Sequence, residues 1–534
     1  MPWQQQYNPL HNMLLSTLAA LIPVVVLLGS IALLRLRAHY AALLGLFSAI
    51  LISSLVFHAP ATIVGSSLLY GAAFGLLPIG WIILNVIFLY RLAHEKGLFT
   101  VLQTSLTRIT RDQRLQLLLV AFCFGSFFEG AAGFGAPVAV TASILIGLGF
   151  PPLSASGLSL IANTAPVAFG ALGTPLIALQ GVTGLDLRAL SATVGLLLTP
   201  FALLIPFWLI WAFAGFKRML QVWPALLLAG GTFAITQYLV AKLHGPWLVD
   251  IIAALLSIGV LVAFLLVWQP SQPMLAPGFV SSTQEDKYSS RVIFFAWLPW
   301  IILSLCVFAW GVPQIKSFLD IPTLRISVPG LDGLVLRVPP VVSEAKPEAA
   351  VFAFNWLSAT GTAILLSAIL TGLLIGYTPR KLLQIYGQAI LQVRFSLLTI
   401  ASMMALGFVT RYSGLDGTLG LAFSRTGGFY PFFGTLLGWL GVALTGSDTS
   451  SNVLFGSLQR ISAEQIGLDP LLMASANSAG GVMGKMIDAQ SIVVASTATG
   501  WYGHESEILR FVFFHSLALA GLVGLLVMAF AYGV

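Results

Sequence analysis

This sequence predicts an all-α polytopic membrane protein of roughly 12 to 14 transmembrane helices, some of them broken or re-entrant, and three observations carry the prediction. Composition is the first: of 534 residues 58% are hydrophobic and 8% charged, with a mean hydropathy of +0.96, whereas soluble domains carry about 25% charged residues. The second is that apolar runs of roughly 20 residues, enough to cross a hydrocarbon core of about 30 Å, recur from one end to the other. The third is that glycine, proline and polar residues interrupt two such runs, at 115–150 and 430–498, leaving each too long for one helix and short for two.

In chain order, spanning helices are expected over 14–34, 41–57, 64–90, 153–179, 189–213, 223–241, 247–268, 294–311, 352–376, 387–410 and 508–533. The first twelve residues hold no Lys or Arg, and no small-residue cleavage site precedes Arg35 and Arg37, so 14–34 reads as a retained span rather than a signal peptide. Basic residues mark the loops: Arg35 and Arg37; Arg91, Lys96, Arg108, Arg111 and Arg114; Lys217 and Arg218; Arg380 and Lys381. Since Lys and Arg collect on cytoplasmic loops, all of these lie in the cytoplasm if the N-terminus lies outside. The same rule accounts for the net charge of +7 without a nucleic-acid partner. Cys123 and Cys306 both sit in apolar runs and suggest neither disulfide nor metal site.

The chain thus divides into an N-terminal membrane half (1–268, containing the broken segment 115–150), a connecting region (269–350) and a C-terminal membrane half (351–534, containing the broken segment 430–498). The connecting region comprises a cytoplasmic linker, one span and an extracytoplasmic loop, 312–350. In that loop LRISV and LVLRV flank PGLDG, which reads as a small β-hairpin or cap. Its four basic and four acidic residues cancel, so a lid with no role in charge steering is expected.

A short internal repeat links the halves. NTAPVAFG (163–170) and NSAGGVMG (477–484) share an Asn, a small hydroxyl residue and a Gly seven positions on, placing Asn163 and Thr164 opposite Asn477 and Ser478. Each follows a glycine-broken segment bearing an acid, Glu129 or Asp448. Paired interruptions at corresponding places in two halves point to a transport site.

A charge at mid-membrane costs about 2.5–3.5 kcal/mol on insertion scales, so Glu129, Asp448, Lys485, Asp488 and His515 each need a reason. Glu129 in FFEGAAGFGAPVAV is followed by Gly130, Gly133, Gly135 and Pro137. As a structural element it would cap a span at the interface; as a functional one it shares a cavity with backbone N–H groups that the glycines free from the helix. In GSDTSSN, Gly446 breaks the helix while Ser447, Thr449, Ser450, Ser451 and Asn452 surround Asp448, either as an ordinary N-cap or as a half-helix whose positive end meets an anion. In GKMIDAQS, Lys485 and Asp488 are three residues apart and can neutralise each other, either as a purely structural pair or with Lys485 as counter-ion for an anionic substrate and Asp488 or Gln490 positioning it. His515 either relays protons or is satisfied by a backbone carbonyl.

Enzyme signatures are missing. HEKGL and HESEI lack the second His of a zinc protease, GGVMGKM is one residue short of a phosphate-binding loop, and no GxSxG occurs. A polytopic membrane enzyme or sensor is the alternative class, and neither cofactor nor metal is expected.

FFEGAAGFGAPVAV, NTAPVAFGALGTP, PPVVSEA (339–345), FNWLSATGTAIL (354–365), GWLGVALTGSDTSSN and GKMIDAQS, in this order, resemble the bacterial lactate permease family, which includes glycolate permeases. The likeness spans essentially the whole chain. It implies a secondary transporter of the cytoplasmic membrane, built of two inverted repeats, that moves L-lactate, and often D-lactate or glycolate, with a proton, for which Glu129, Asp448 or His515 would be the carrier. Two positions vary among members: Arg411 in TRYSGLDG, where some carry Asn, and Asp488, where some carry Ser. Arg411 would be a second cationic partner if it reaches the cavity. On this basis the substrate carboxylate is expected on Lys485 and the broken-helix amides, and its hydroxyl on Asn163, Asn477 or the 447–452 cluster. The alternative within transport is a sodium-coupled or electrogenic carrier of another small organic anion.

Overall fold

Helices form where the sequence is apolar and stop where glycine, proline or a capping side chain intervenes; the computed structural model describes residues 2–32, 34, 36–107, 109–131, 133, 136–275 and 288–533. The first half begins with α1 (Met13–Ala32), α2 (Ala38–Leu55), α3 (Ala61–Phe74), α4 (Trp81–Glu95) and α5 (Leu98–Thr107). The expected span 64–90 is divided between α3 and α4, because Pro78 forces Leu77 into extended backbone (φ −134°, ψ 117°). Next come α6 (Gln113–Leu117), a π-helical stretch (Leu118–Phe124) and α7 (Gly125–Ala131), which form one rod buried along its whole length among other helices.

After α7 the chain breaks and continues as α8 (Ala136–Gly147), α9 (Pro152–Asn163) and α10 (Gly170–Thr183). The expected single span 153–179 is instead α9 and α10, bent by 62°. Long helices α11 (Leu187–Ala214), α13 (Trp223–Leu243) and α14 (Val249–Val267) follow, with α12 (Phe216–Leu220) as a short connector; Asp186 caps α11 by accepting from Ala189 N at 2.8 Å. Beyond the linker stand α15 (Ser290–Gly311) and α16 (Pro313–Leu319).

The extramembrane cap departs from the expected hairpin. Strand β1 (Trp3–Gln4) pairs in parallel with β3 (Val335–Arg337), which also pairs with β4 (Lys346–Pro347), while β2 (Leu324–Ser327) pairs with β5 (Val351–Phe354). LRISV therefore pairs with the start of the run expected to span at 352–376, and α17 (Thr360–Leu374) is shorter than that run at 15 residues. The cap charges are not idle either: Arg337 and Arg411 both grip Glu348, at 2.6 and 2.9 Å.

The second half contains α18 (Pro379–Ser413), α19 (Leu415–Phe423), α20 (Tyr430–Thr445), α21 (Asp448–Ile466), α22 (Pro470–Gly484), α23 (Ala489–Ala498) and α24 (Glu505–Tyr532). Backbones of α20 and α22 touch: a Cβ on Gly438 would lie 2.0 Å from the Asn477 carbonyl oxygen, so glycine alone fits there. Among the described residues, eleven helices are long and apolar enough to cross a membrane, or twelve with α9–α10 taken as one span. The basic loops meet at shared sites: Arg91 donates to Gln388 and Gln392, Lys381 lies 3.6 Å from Glu95, and Arg114 donates to the Arg218 carbonyl. Arg35, Arg108 and Gly135 lie outside the described residues, as does 276–287 of the linker.

The series α7–α8–α9–α10 and α20–α21–α22–α23 run in the same order, each with a break between its first two and its last two helices. They pack on each other, α10 against α21, and α23 against α8 and α9. Their breaks define the site.

Candidate functional site

Four interruptions of helix surround one cavity of about 230 Å³. Gly133 turns the chain after α7 with φ +58°. Ala171, Leu172 and Gly173 are successively left-handed (φ 44°, 57° and 78°), so α10 becomes regular only at Thr174. Left-handed backbone costs a residue other than glycine roughly 1–3 kcal/mol, and Ala171 and Thr174 both line the cavity. Gly446 (φ +72°) separates α20 from α21, and a short 3-10 turn, Lys485–Ile487, separates α22 from α23.

The consequence is a convergence of helix starts. Thr174 and Pro175 open the regular part of α10, while Ser447 caps α21 by accepting from Ser450 N at 3.2 Å, and Ser447, Asp448, Thr449 and Ser450 all line the cavity. Unpaired N–H groups and the positive ends of the helix dipoles thus face the same space, which suits an anion. Lys485 adds a full charge. Its Nζ donates to the Gly446 carbonyl oxygen at 2.6 Å and lies 3.2 Å from Asp488 Oδ2. The expected Lys485–Asp488 pair forms, across a turn rather than along a helix face. Asp488 also caps α23 through Ser491 N at 2.7 Å, and Gln490 lines the cavity beside it.

The acids are placed differently. Asp448 Oδ2 accepts from Ser478 Oγ at 2.6 Å and from Asn452 Nδ2 at 3.2 Å. Behind Asn452 the chain of donors continues: Asn477 Nδ2 to Asn452 Oδ1 (2.9 Å), Gln459 Nε2 to Asn477 Oδ1 (3.3 Å) and Tyr430 Oη to Gln459 Oε1 (2.7 Å). Glu129 also lines the cavity, but its Oε2 has no hydrogen-bond partner among the described residues. Asn163 lies beside it, with neither amide atom in a well-formed hydrogen bond. A Cβ on Gly170 would come within 2.4 Å of Glu129 Oε1, so the glycine leaves room for the carboxylate.

Several anticipated residues stand elsewhere. Thr164 donates to the Ile161 carbonyl at 2.8 Å, while Asn477 and Ser478 act through Asn452 and Asp448. Gly130 packs on α14 and Pro137 opens α8. Arg411 does not line the cavity; it donates to the Gly181 and Val182 carbonyls at the far end of α10 and to Glu348. His515 accepts from Trp208 Nε1 at 3.0 Å between α11 and α24, away from the cavity. The structure adds His39, stacked on Phe395 at 4.7 Å, with Ser396 and Thr399 from α18. It also reveals Asp250, 1% exposed behind α7. Asp250 opens a span and so resembles an ordinary first-turn acid, while His39 follows a basic loop and reads as interfacial.

A model of the L-lactate permease family matches residues 16–534. The chain belongs to the L-lactate permease family. An L-lactate permease of Salmonella typhimurium is 43% identical over 543 residues, covering 99% of this chain and 98% of that protein. The glycolate permease GlcA of Escherichia coli is also 43% identical, over 550 residues, covering 99% and 98%. Among solved structures, the Alcanivorax borkumensis YdaH transporter aligns with a TM-score of 0.44 at 13% identity, over 89% of this chain and 88% of that one. As a member of this permease family the chain is a transporter, not an enzyme, and a multi-pass protein of the bacterial cytoplasmic membrane. Its cavity therefore belongs to a carrier of a small organic acid.

Proposed function

We propose that the chain is a proton-coupled symporter of L-lactate, with D-lactate and glycolate as further substrates. The observation that carries this reading is the meeting of Lys485, the starts of α10 and α21, and the carboxyl groups Glu129 and Asp448 in one cavity. Lactate is an anion at pH 7. Its carboxylate is bound by Lys485 and the helix N–H groups, and its 2-hydroxyl by the hydroxyls of Ser447, Thr449 and Ser450. The names of the relatives, L-lactate and glycolate permeases, match a small 2-hydroxy monocarboxylate.

In this reading the N-terminus and the β-strand cap face outside. Arg411 and Arg460 close that side, since both donate to carbonyls at the end of α10, Arg460 to Thr183. The two helix series move against each other to alternate access. One proton with one monoanion carries no net charge, so membrane potential, worth about 2.3 kcal/mol per charge per 100 mV, does not drive uptake. Labelled L-lactate uptake into proteoliposomes under a pH gradient, a sodium gradient or a potassium-valinomycin potential tests this. Accumulation under the pH gradient alone is expected. Accumulation under sodium or voltage would establish the rival carrier instead.

A further inference from the structure

Asp448 is held by two hydrogen bonds, whereas Glu129 Oε2 and both oxygens of Asp250 in the first half have none among the described residues. Asp250 lies on the first turn of α14, is 1% exposed, and neither of its oxygens has a hydrogen-bond partner among the described residues. A Cβ on Gly130 would sit 2.7 Å from Asp250 Cβ, so only glycine at 130 lets α14 lie this close to α7. The residue before that glycine is Glu129, so the two acids flank one close contact between α7 and α14.

Among the described residues no cation answers Asp250. Of the elements packed around α14, α7 presents Glu129, and α10 presents no titratable group. The π-helical stretch presents Cys123, which is paired with Ser257. On α13, Lys242 lies over its own Tyr238. In the loop before α14, His244 stacks on Phe308. Two neighbouring carboxylates buried without a counter-ion of their own cannot both ionise cheaply; such a pair keeps a proton.

We propose that Asp250 and Glu129 form a carboxyl pair that holds the transported proton, Asp250 receiving it and Glu129 presenting it to the cavity. The inference rests on the proton-coupled reading above. It supplies the coupling. Lys485 and Glu129 line the same cavity, so a substrate carboxylate that engages Lys485 neutralises the positive charge that Glu129 faces across it. Anion and proton then bind together, because each lowers the cost of the other.

The test compares wild type, Asp250→Asn and Asp250→Glu in proteoliposomes, reading lactate exchange and accumulation under one unit of pH gradient. Wild type is expected to accumulate about tenfold, the value of one pH unit for one-to-one coupling. Asp250→Asn should exchange lactate measurably but not accumulate it, and its uptake should become voltage-sensitive as the anion moves without its proton. Asp250→Glu restores accumulation. Wild type without pH-driven accumulation would refute proton coupling itself, whereas tenfold accumulation by Asp250→Asn would refute only the carboxyl pair. Should Asp250→Asn not insert, infrared spectra of wild type and Asp250→Glu labelled with carboxyl-13C aspartate decide. A protonated aspartate band that shifts with lactate and vanishes in Asp250→Glu is expected, and its absence from wild type overturns the proposal.

Discussion

Gly170→Ala isolates the role of Glu129 without touching a charge. At Gly170 the backbone has φ −58° and ψ 154°, which alanine adopts freely, so in the unfolded chain the substitution is worth up to about 1 kcal/mol of stabilisation. The cost lies in the cavity wall. The new methyl would stand 2.4 Å from Glu129 Oε1 and 3.2 Å from both Cδ and Cγ, and ordinary contact needs about 3.5 Å. The carboxylate must therefore move by about 1 Å, and overpacking of this kind costs about 1–3 kcal/mol. Displacement by about 1 Å of a group that acts by position is worth about 10²-fold. We expect net stability to fall by no more than about 2 kcal/mol while pH-driven uptake falls by about 10²-fold. Thermal unfolding in detergent and uptake into proteoliposomes measure the two. Gly231→Ala, where a methyl meets nothing within 4 Å, is the control and should transport normally. Wild-type uptake and pH dependence in Gly170→Ala would show that Glu129 is not where transport needs it.

Lys485→Ala leaves buried Asp488 without its partner and should destabilise by about 3–5 kcal/mol; the double variant with Asp488→Asn should recover melting temperature but not lactate binding, measured by calorimetry. Asn477→Ala strands the Asn452 carbonyl and should cost about 1–3 kcal/mol in chemical denaturation. His515→Phe breaks only the bond from Trp208, and pH-driven accumulation should persist, assayed as for wild type. Burial alone would raise Glu348, but Arg411 and Arg337 outweigh it and hold its carboxyl below the usual range. A depressed carboxyl stabilises above its unfolded value, about 4.3, and loses that contribution as pH falls through the folded one. Protection of the amides at 181–184, measured against their intrinsic exchange rates, should accordingly fall in acid, and Glu348→Gln should show the same loss of protection at neutral pH.

The membrane class and most of the helices were legible because apolar runs report burial in lipid directly. What eluded the sequence was decided between segments. Pro78 and the turn at 171–173 divide runs that hydropathy reads as continuous, and β5 occupies Val351–Phe354 because Leu324–Ser327 pairs with it. Lys485, Asp448 and Glu129 stood out as charges in apolar surroundings. Asp250 and His39 did not, since each begins or flanks a helix where a polar residue is ordinary, and only the packing of α14 on Gly130 and of α2 on α18 shows what they face. Arg411 looked like a cavity cation and is a clasp on α10, a distinction that rests on Glu348, 63 residues away.

The polar chain behind Asp448 has a direction. Tyr430, Gln459, Asn477 and Asn452 each donate towards the next, and every donation runs to the same carboxylate. An amide can reverse its sense only by turning over, and one that turns over obliges its neighbour to do the same. The row therefore ties the orientation of side chains on three helices, α20, α21 and α22, to a single carboxylate at the cavity wall.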